Sequence, residues 1–185
     1  MAEPKRSTLA MAIILLLDAQ PLHPYGLRQR IQEWDKDRVV NVTQRNAIYQ
    51  TMTRLERDGL IEVVETEREE KRPERTVYRA TREGVRTAKS WLRELITDLS
   101  PEYPRFPAAL SFLPALPHKT ALRALEQRAE VLAGQLDEMN AQLAKEAADV
   151  ERIYLIEVEY IRSQWQAELD WLRDMLDYLR KLWLS

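Results

Sequence analysis

Thiolate chemistry and histidine metal sites need residue types that this chain scarcely contains. It has no cysteine, which removes disulfides, thiolate metal sites and a cysteine nucleophile. Its two histidines, His23 and His118, lie far apart, each beside a proline, and neither has a partner at metal-ligand spacing. A capping or surface role suits both better. The four glycines form no cluster that could cradle a phosphate. Glu157 and Glu159 lie near Tyr160, but carboxylates two positions apart on a helix do not converge on one substrate. No nucleophile–base pair can be argued, and so few imidazoles restrict acid–base chemistry near neutral pH. The chain is therefore not read as an enzyme, and no catalytic residue, metal or cofactor is assigned.

Amides offer a different chemistry. In residues 41–61, NVTQRNAIYQTMTRLERDGLI, apolar side chains fall at Ile48, Met52 and Leu55, which is helical spacing. Thr43 is a suitable N-cap. Opposite the apolar face lie Thr43, Asn46, Gln50, Thr53 and Arg57, with Tyr49 and Arg54 on the flanks. Gln44 and Arg45 occupy the helix start. Asp58-Gly59 ends the helix, because glycine takes the left-handed position after a helix at least cost. A short helix whose outer face carries amides and hydroxyls suits the DNA major groove, where Asn and Gln pair two-pronged with adenine and Arg with guanine. The alternative is a surface helix whose polar residues merely lack charge.

The elements around this helix would position it. With 185 residues, 45% of them hydrophobic, the chain can form one compact domain with an extension or two small domains. Lys5-Arg6 followed by the apolar run from Leu9 to Leu17 has the outline of a signal peptide. Asp18 closes that run, the residue types around Ala19 do not suit cleavage, and the run is too short to span a bilayer. It is read instead as a buried first helix capped by Ser7, in a cytoplasmic protein with no membrane partner. Pro24 starts a second helix with Leu27, Ile31 and Trp34 on its apolar face. Two short helices before the amide-bearing one form a helix-turn-helix-like unit.

Beyond Gly59, residues 60–66 and 76–80 read as two strands of a β-hairpin. Arg68, Lys71, Arg72 and Arg75 lie near its tip, where a wing would follow the sugar-phosphate backbone. Glu67, Glu69, Glu70 and Glu74 oppose those charges and favour a solvated turn, so the hairpin gains weight only from its place behind the helix. Thr81 caps a fourth helix with Val85, Ala88, Trp91, Leu92 and Leu95 on its buried side, ending at Ser100-Pro101. Residues 1–97 carry 18 Lys/Arg against 15 Asp/Glu, whereas residues 98–185 carry 10 against 15. The mildly basic front half is compatible with a nucleic-acid partner.

Five of the nine prolines fall between Asp98 and His118, marking residues 98–118 as a linker, with one or two helical turns at 108–113. In residues 119–185, Leu122, Leu125, Ala129, Leu132, Leu136, Met139 and Leu143 alternate three and four apart, a coiled-coil seam of about three heptads. A last helix carries Tyr160, Ile161, Trp165, Leu169, Trp171, Leu172, Met175, Leu176, Leu179 and Trp183. An apolar surface that wide must be buried on several sides. A homodimer interface formed by Leu122, Leu125, Leu132, Leu136, Met139, Leu143, Tyr160, Ile161, Trp165, Leu169, Trp171, Leu172 and Leu176 is expected. An intramolecular bundle with the first domain is the alternative.

These residues carry a family resemblance. Leu22-His23-Pro24-Tyr25-Gly26-Leu27, Tyr49 with Arg54-Leu55-Glu56 and Gly59-Leu60-Ile61, and the spacing Tyr78, Thr81, Gly84 resemble motifs of the PadR family of bacterial transcriptional regulators. Phe106 to Leu116 and the run Trp165, Glu168, Leu169, Trp171, Leu172 resemble the longer C-terminal region of one branch. The resemblance implies a dimeric regulator, usually a repressor, whose affinity for DNA is often lowered by a small molecule. It further implies that Tyr25, Tyr49 and the start of the third helix approach DNA.

The expected fold is mainly α with a small β-hairpin wing: an N-terminal winged helix-turn-helix at 1–97 and a C-terminal α-helical, coiled-coil-like dimerisation domain at 119–185. The expected partner is double-stranded DNA with a palindromic operator. Thr43, Gln44, Asn46 and Gln50 would face bases, Tyr25, Tyr49 and Arg54 phosphates, and Arg68, Lys71, Arg72 and Arg75 the backbone beyond, with Arg45 and Thr53 also at the DNA. Trp91 and Trp165 are the candidates for a pocket holding a small aromatic or hydrophobic effector between the two regions. A protein–protein adaptor would explain the dimer helices but not the amide-rich helix.

Overall fold

A computed structural model describes residues 7–33, 45–67, 75–100 and 103–184. The order is α1 (Thr8–Ala19), α2 (Pro24–Glu33), α3 (Arg45–Arg57), β1 (Ile61–Glu67), β2 (Arg75–Ala80), α4 (Arg82–Thr97), α5 (Arg105–Leu110), α6 (His118–Glu146) and α7 (Ile156–Leu184), with 3₁₀ turns at Leu113–Ala115 and Arg152–Tyr154. The fold is mainly helical with one antiparallel hairpin, as the sequence predicts. The chain divides into two compact units, Met1–Ser100 and Pro101–Ser185.

In the first unit α1 and α4 start where a side chain takes up an orphan amide. The Ser7 hydroxyl accepts from the Ala10 N–H at 3.0 Å, and the Thr81 hydroxyl does the same for the Gly84 N–H at 3.0 Å. Ala10, Ile13, Ile14 and Leu17 of α1 are buried with Leu27 and Ile31 of α2, Ile48, Met52 and Leu55 of α3, Leu60, Ile61, and Ala88 and Trp91 of α4. Leu92, expected among the buried residues of α4, is exposed, because the core reaches α4 along the Gly84, Ala88, Trp91 line. Trp34 lies outside the described residues.

The strands pair with Ile61 opposite Ala80 and Val63 opposite Tyr78, and the register shifts between Val63 and Glu65. A further pairing escapes the sequence reading. The Leu22 N–H donates to the Tyr78 carbonyl and the Tyr78 N–H to the Leu22 carbonyl, both at 3.0 Å, so the turn before α2 adds a single antiparallel bridge to β2.

In the second unit α6 and α7 form an antiparallel hairpin. Its two ends are joined by the Arg180–Glu126 ion pair at 2.8 Å, and Arg162 Nε donates to Asn140 Oδ1 at 2.5 Å nearer the turn. Leu122, Leu125, Leu132 and Leu136 of α6 pack against Leu169, Leu172, Leu176 and Leu179 of α7. This corrects the dimer assignment: Leu122, Leu125, Leu132, Leu136, Met139, Leu169, Leu172 and Leu176 are buried inside one chain, because the second long helix folds back over the seam. Leu143, Ile161 and Trp165 are half-buried, whereas Tyr160 and Trp171 remain exposed. The proline-rich stretch is also more than a connection. Phe106, Leu110 and Leu113 pack on the hairpin core, and the Arg128 guanidinium lies 3.7 Å from the Phe106 ring centre.

Candidate nucleic-acid interface

The α3 helix is divided lengthwise. Ile48, Met52 and Leu55 are buried to within 2% of full enclosure, while Asn46, Tyr49, Gln50 and Thr53 are exposed. Periodicity alone dictates this: residues four apart share a face and those two apart lie across the axis. Thr53 Oγ1 donates to the Tyr49 carbonyl at 3.0 Å, so its proton is committed within the helix and the hydroxyl faces outward as an acceptor. Arg54 is half-buried on the flank, and Arg57 pairs with Asp58 at 3.0 Å. Thr43 and Gln44 lie outside the described residues, and of Arg45 only the backbone is described.

The C-terminus of α3 is held from three directions. Gly59 has φ +71°, the left-handed conformation that non-glycine residues avoid. Its N–H donates to the Glu56 carbonyl at 2.9 Å and the Leu60 N–H to the Leu55 carbonyl at 2.8 Å, the paired closure of a Schellman end. Thr81 Oγ1 then donates to the Gly59 carbonyl at 2.8 Å, and the Thr81 N–H donates to the Leu60 carbonyl at 3.1 Å. A methyl on Gly84 would stand 2.0 Å from that same carbonyl oxygen. The spacing Tyr78, Thr81, Gly84 is therefore a joint between sheet, α3 and α4. Tyr78 is bonded to Leu22 through its backbone, and burial, followed by the nearby Glu56 charge, pushes its hydroxyl above the ordinary tyrosine range.

Tyr25 on α2 is 65% exposed and meets the His23 ring edge-on at 6.0 Å. On the wing, Arg68, Lys71 and Arg72 lie outside the described residues, and of Arg75 only the backbone at the start of β2 is described. Val63 and Val64 are exposed on β1, beside the shift of register. Arg79 Nε donates to Glu62 at 2.7 Å across the strands.

The two pocket tryptophans behave differently. Trp91 is 6% exposed and belongs to the first core, so it is a packing residue. Trp165 is half-buried and lines a hollow of about 480 Å³ with Gln127, Val131 and Gln135. Among the described residues no group of three His, Cys, Asp or Glu side chains could hold a metal, and no helix is long and apolar enough to cross a membrane.

Comparison with known proteins adds to this geometry. Residues 13–90, which span α1 to α4, match the transcriptional regulator PadR-like family. No curated protein sequence matches the chain. Among solved structures, PadR of Bacillus subtilis in complex with operator DNA is 16% identical, with 94% of this chain and 99% of that one covered and a TM-score of 0.76. The same regulator in complex with p-coumaric acid gives 16% identity, 94% and 99% coverage and a TM-score of 0.71. The PadR-like regulator BC1756 of Bacillus cereus gives 16%, 94%, 99% and 0.65. At such identities the structural likeness speaks for the fold, and the match over 13–90 speaks for the family. Residues 13–90, which hold the winged-helix unit, are therefore a PadR-like transcriptional regulator domain.

Proposed function

We propose that this regulator binds a palindromic operator as a cytoplasmic homodimer, acts as a repressor, and is released by a small aromatic or hydrophobic effector. One observation carries the reading: α3 buries Ile48, Met52 and Leu55 and turns Asn46, Tyr49, Gln50 and Thr53 outward. Asn46 and Gln50 then read bases in the major groove, together with Thr43, Gln44, Arg45 and Thr53. Tyr25, Tyr49 and Arg54 contact phosphates, and Arg68, Lys71, Arg72 and Arg75 extend along the backbone. The B. subtilis relative with operator DNA supports this docking.

The dimer uses what the hairpin leaves open. Ile156, Tyr160, Trp171, Tyr178 and Leu182 are each at least 40% exposed and fall on one side of α7 at helical spacing. Two copies joined there present two α3 helices to half-sites roughly one helical turn, ~34–36 Å, or a multiple of it apart. The effector binds against Trp165, and the p-coumaric acid complex of the relative supports a small aromatic ligand. Its binding alters the separation of the two α3 helices, so both no longer fit one operator.

The test is recovery of bound fragments from a genomic library, followed by affinity measurements on the selected site. Asn46→Ala and Gln50→Ala each weaken the operator by ~1–3 kcal/mol and leave random duplex unchanged. Wild-type affinity falls by about 10³–10⁵ between 50 and 200 mM salt if 6–10 phosphates are contacted. Equal losses on both DNAs remove these residues from base reading, and no retention at low salt sinks the whole proposal.

A further inference from the structure

Residues 22–26 combine features that the DNA-binding reading leaves unused. Leu22 is fixed to Tyr78 by two backbone hydrogen bonds, so the chain enters α2 from a set point. His23 precedes the first helical residue, Pro24, and its Nδ1 accepts from the Gly26 N–H at 2.8 Å. A methyl on Gly26 would lie 2.7 Å from that nitrogen and 2.9 Å from Cε1; the ring sits where only glycine leaves room. Its edge contact with Tyr25 has an interplanar angle of 86°.

The usual N-cap acceptors are oxygens, which keep their lone pairs near neutral pH. An imidazole need not. An Nδ1 that accepts from an amide carries no proton, so the neutral ring bears its hydrogen on Nε2. A second proton, on Nδ1, would set donor against donor and place positive charge at the positive end of a helix. We propose that His23 is a proton-sensitive positioning residue: neutral, it locks the first turn of α2 and steadies Tyr25; protonated, it releases both, and DNA affinity falls.

The surroundings do not offset that charge through an ion pair with another described residue. On α2 the ring meets the Gly26 amide and Tyr25. On β2 the residue bonded to Leu22 is Tyr78, which stays neutral, and Glu56 of α3 is the carboxylate acting on it. The chain has only one other histidine: His118, in the second unit, stacks on Trp183 at 4.5 Å. These two imidazoles are the only side chains whose charge ordinarily changes between about pH 5.5 and 8.

The functional half of this inference rests on the DNA-binding reading; the cap does not. Nuclear magnetic resonance of the full-length protein should find His23 in the Nε2–H form at about pH 8, with the Gly26 amide and Tyr25 ring signals following His23 on acidification to about pH 5.5. His23→Asn, which keeps a non-titrating cap, should hold both signals still, and His118→Gln should behave as wild type. On sheared genomic duplex at low salt, wild type and His118→Gln should lose about three- to tenfold in affinity over that range, the worth of one cap, while His23→Asn keeps its affinity. Gly26 and Tyr25 signals that ignore His23, or an equal acid loss in His23→Asn, overturn the proposal. Failure to hold DNA at any pH sinks the functional reading instead, and the Gly26 and Tyr25 signals still decide the cap.

Discussion

Two positions show how single atoms set this molecule's tolerances. Gly84 approaches the Leu60 carbonyl so closely that a methyl would overlap its oxygen at 2.0 Å. Because the obstacle is backbone, the helix and sheet must separate to admit it. Gly84→Ala is therefore expected to cost about 3 kcal/mol or more, read as a lowered urea midpoint, whereas Gly134→Ala, with nothing near its added methyl, should not destabilise. Tyr78 gives a second test. Burial and the Glu56 charge favour its neutral form, so its hydroxyl should ionise above the ordinary tyrosine range in a spectroscopic titration. Stability linked to it is present below the ordinary tyrosine range and falls as the pH rises through that range, because the unfolded chain releases the proton first. If Tyr78 ionises within the ordinary tyrosine range, its hydroxyl is not shielded as described. The tyrosine and glycine were legible in the sequence as a spacing. Their roles were not, since the Leu60 carbonyl and the Leu22 backbone come from distant parts of the chain.

At the scale of elements, the joint between α3 and α4 decides how firmly the amide face is presented. Thr81 caps α4 and donates to the Gly59 carbonyl with one hydroxyl. Thr81→Ala removes both bonds and should cost ~1–2 kcal/mol, while Thr81→Ser should recover most of the loss; equal melting of the two variants would show that the hydroxyl does not matter. The helix starts at Ser7 and Thr81 and the stop at Gly59 follow from nearest-neighbour rules, and the sequence states them directly. The end of α4 does not. Its last helical residue is Thr97 rather than a residue at Ser100-Pro101, because Asp98 takes an extended conformation and its carboxylate accepts from the Ser100 N–H at 2.9 Å.

For the whole molecule the main question is what covers the long helices. Leu172 is fully enclosed and Trp171, its neighbour, is 40% exposed, so the two should separate folding from association. Leu172→Ala should cost ~2–5 kcal/mol of stability of the second unit. Trp171→Ser combined with Tyr178→Ser should leave the helical signal in place and shift sedimentation toward the monomer. Unchanged association would move the interface away from this side of α7. The amino-acid order by itself determined which residues share a face: the split of α3 into Ile48, Met52, Leu55 against Asn46, Gln50, Thr53, the two-stranded hairpin, and the heptad seam of α6. Such patterns are local, because helical and strand periods depend only on the backbone geometry of consecutive residues. Tertiary structure alone decided what each face meets. It closed the seam with α7 of the same chain, put Trp91 into the first core, tied Leu22 to Tyr78 and seated the His23 ring over Gly26. A period names a surface; only the folded chain chooses the surface that buries it.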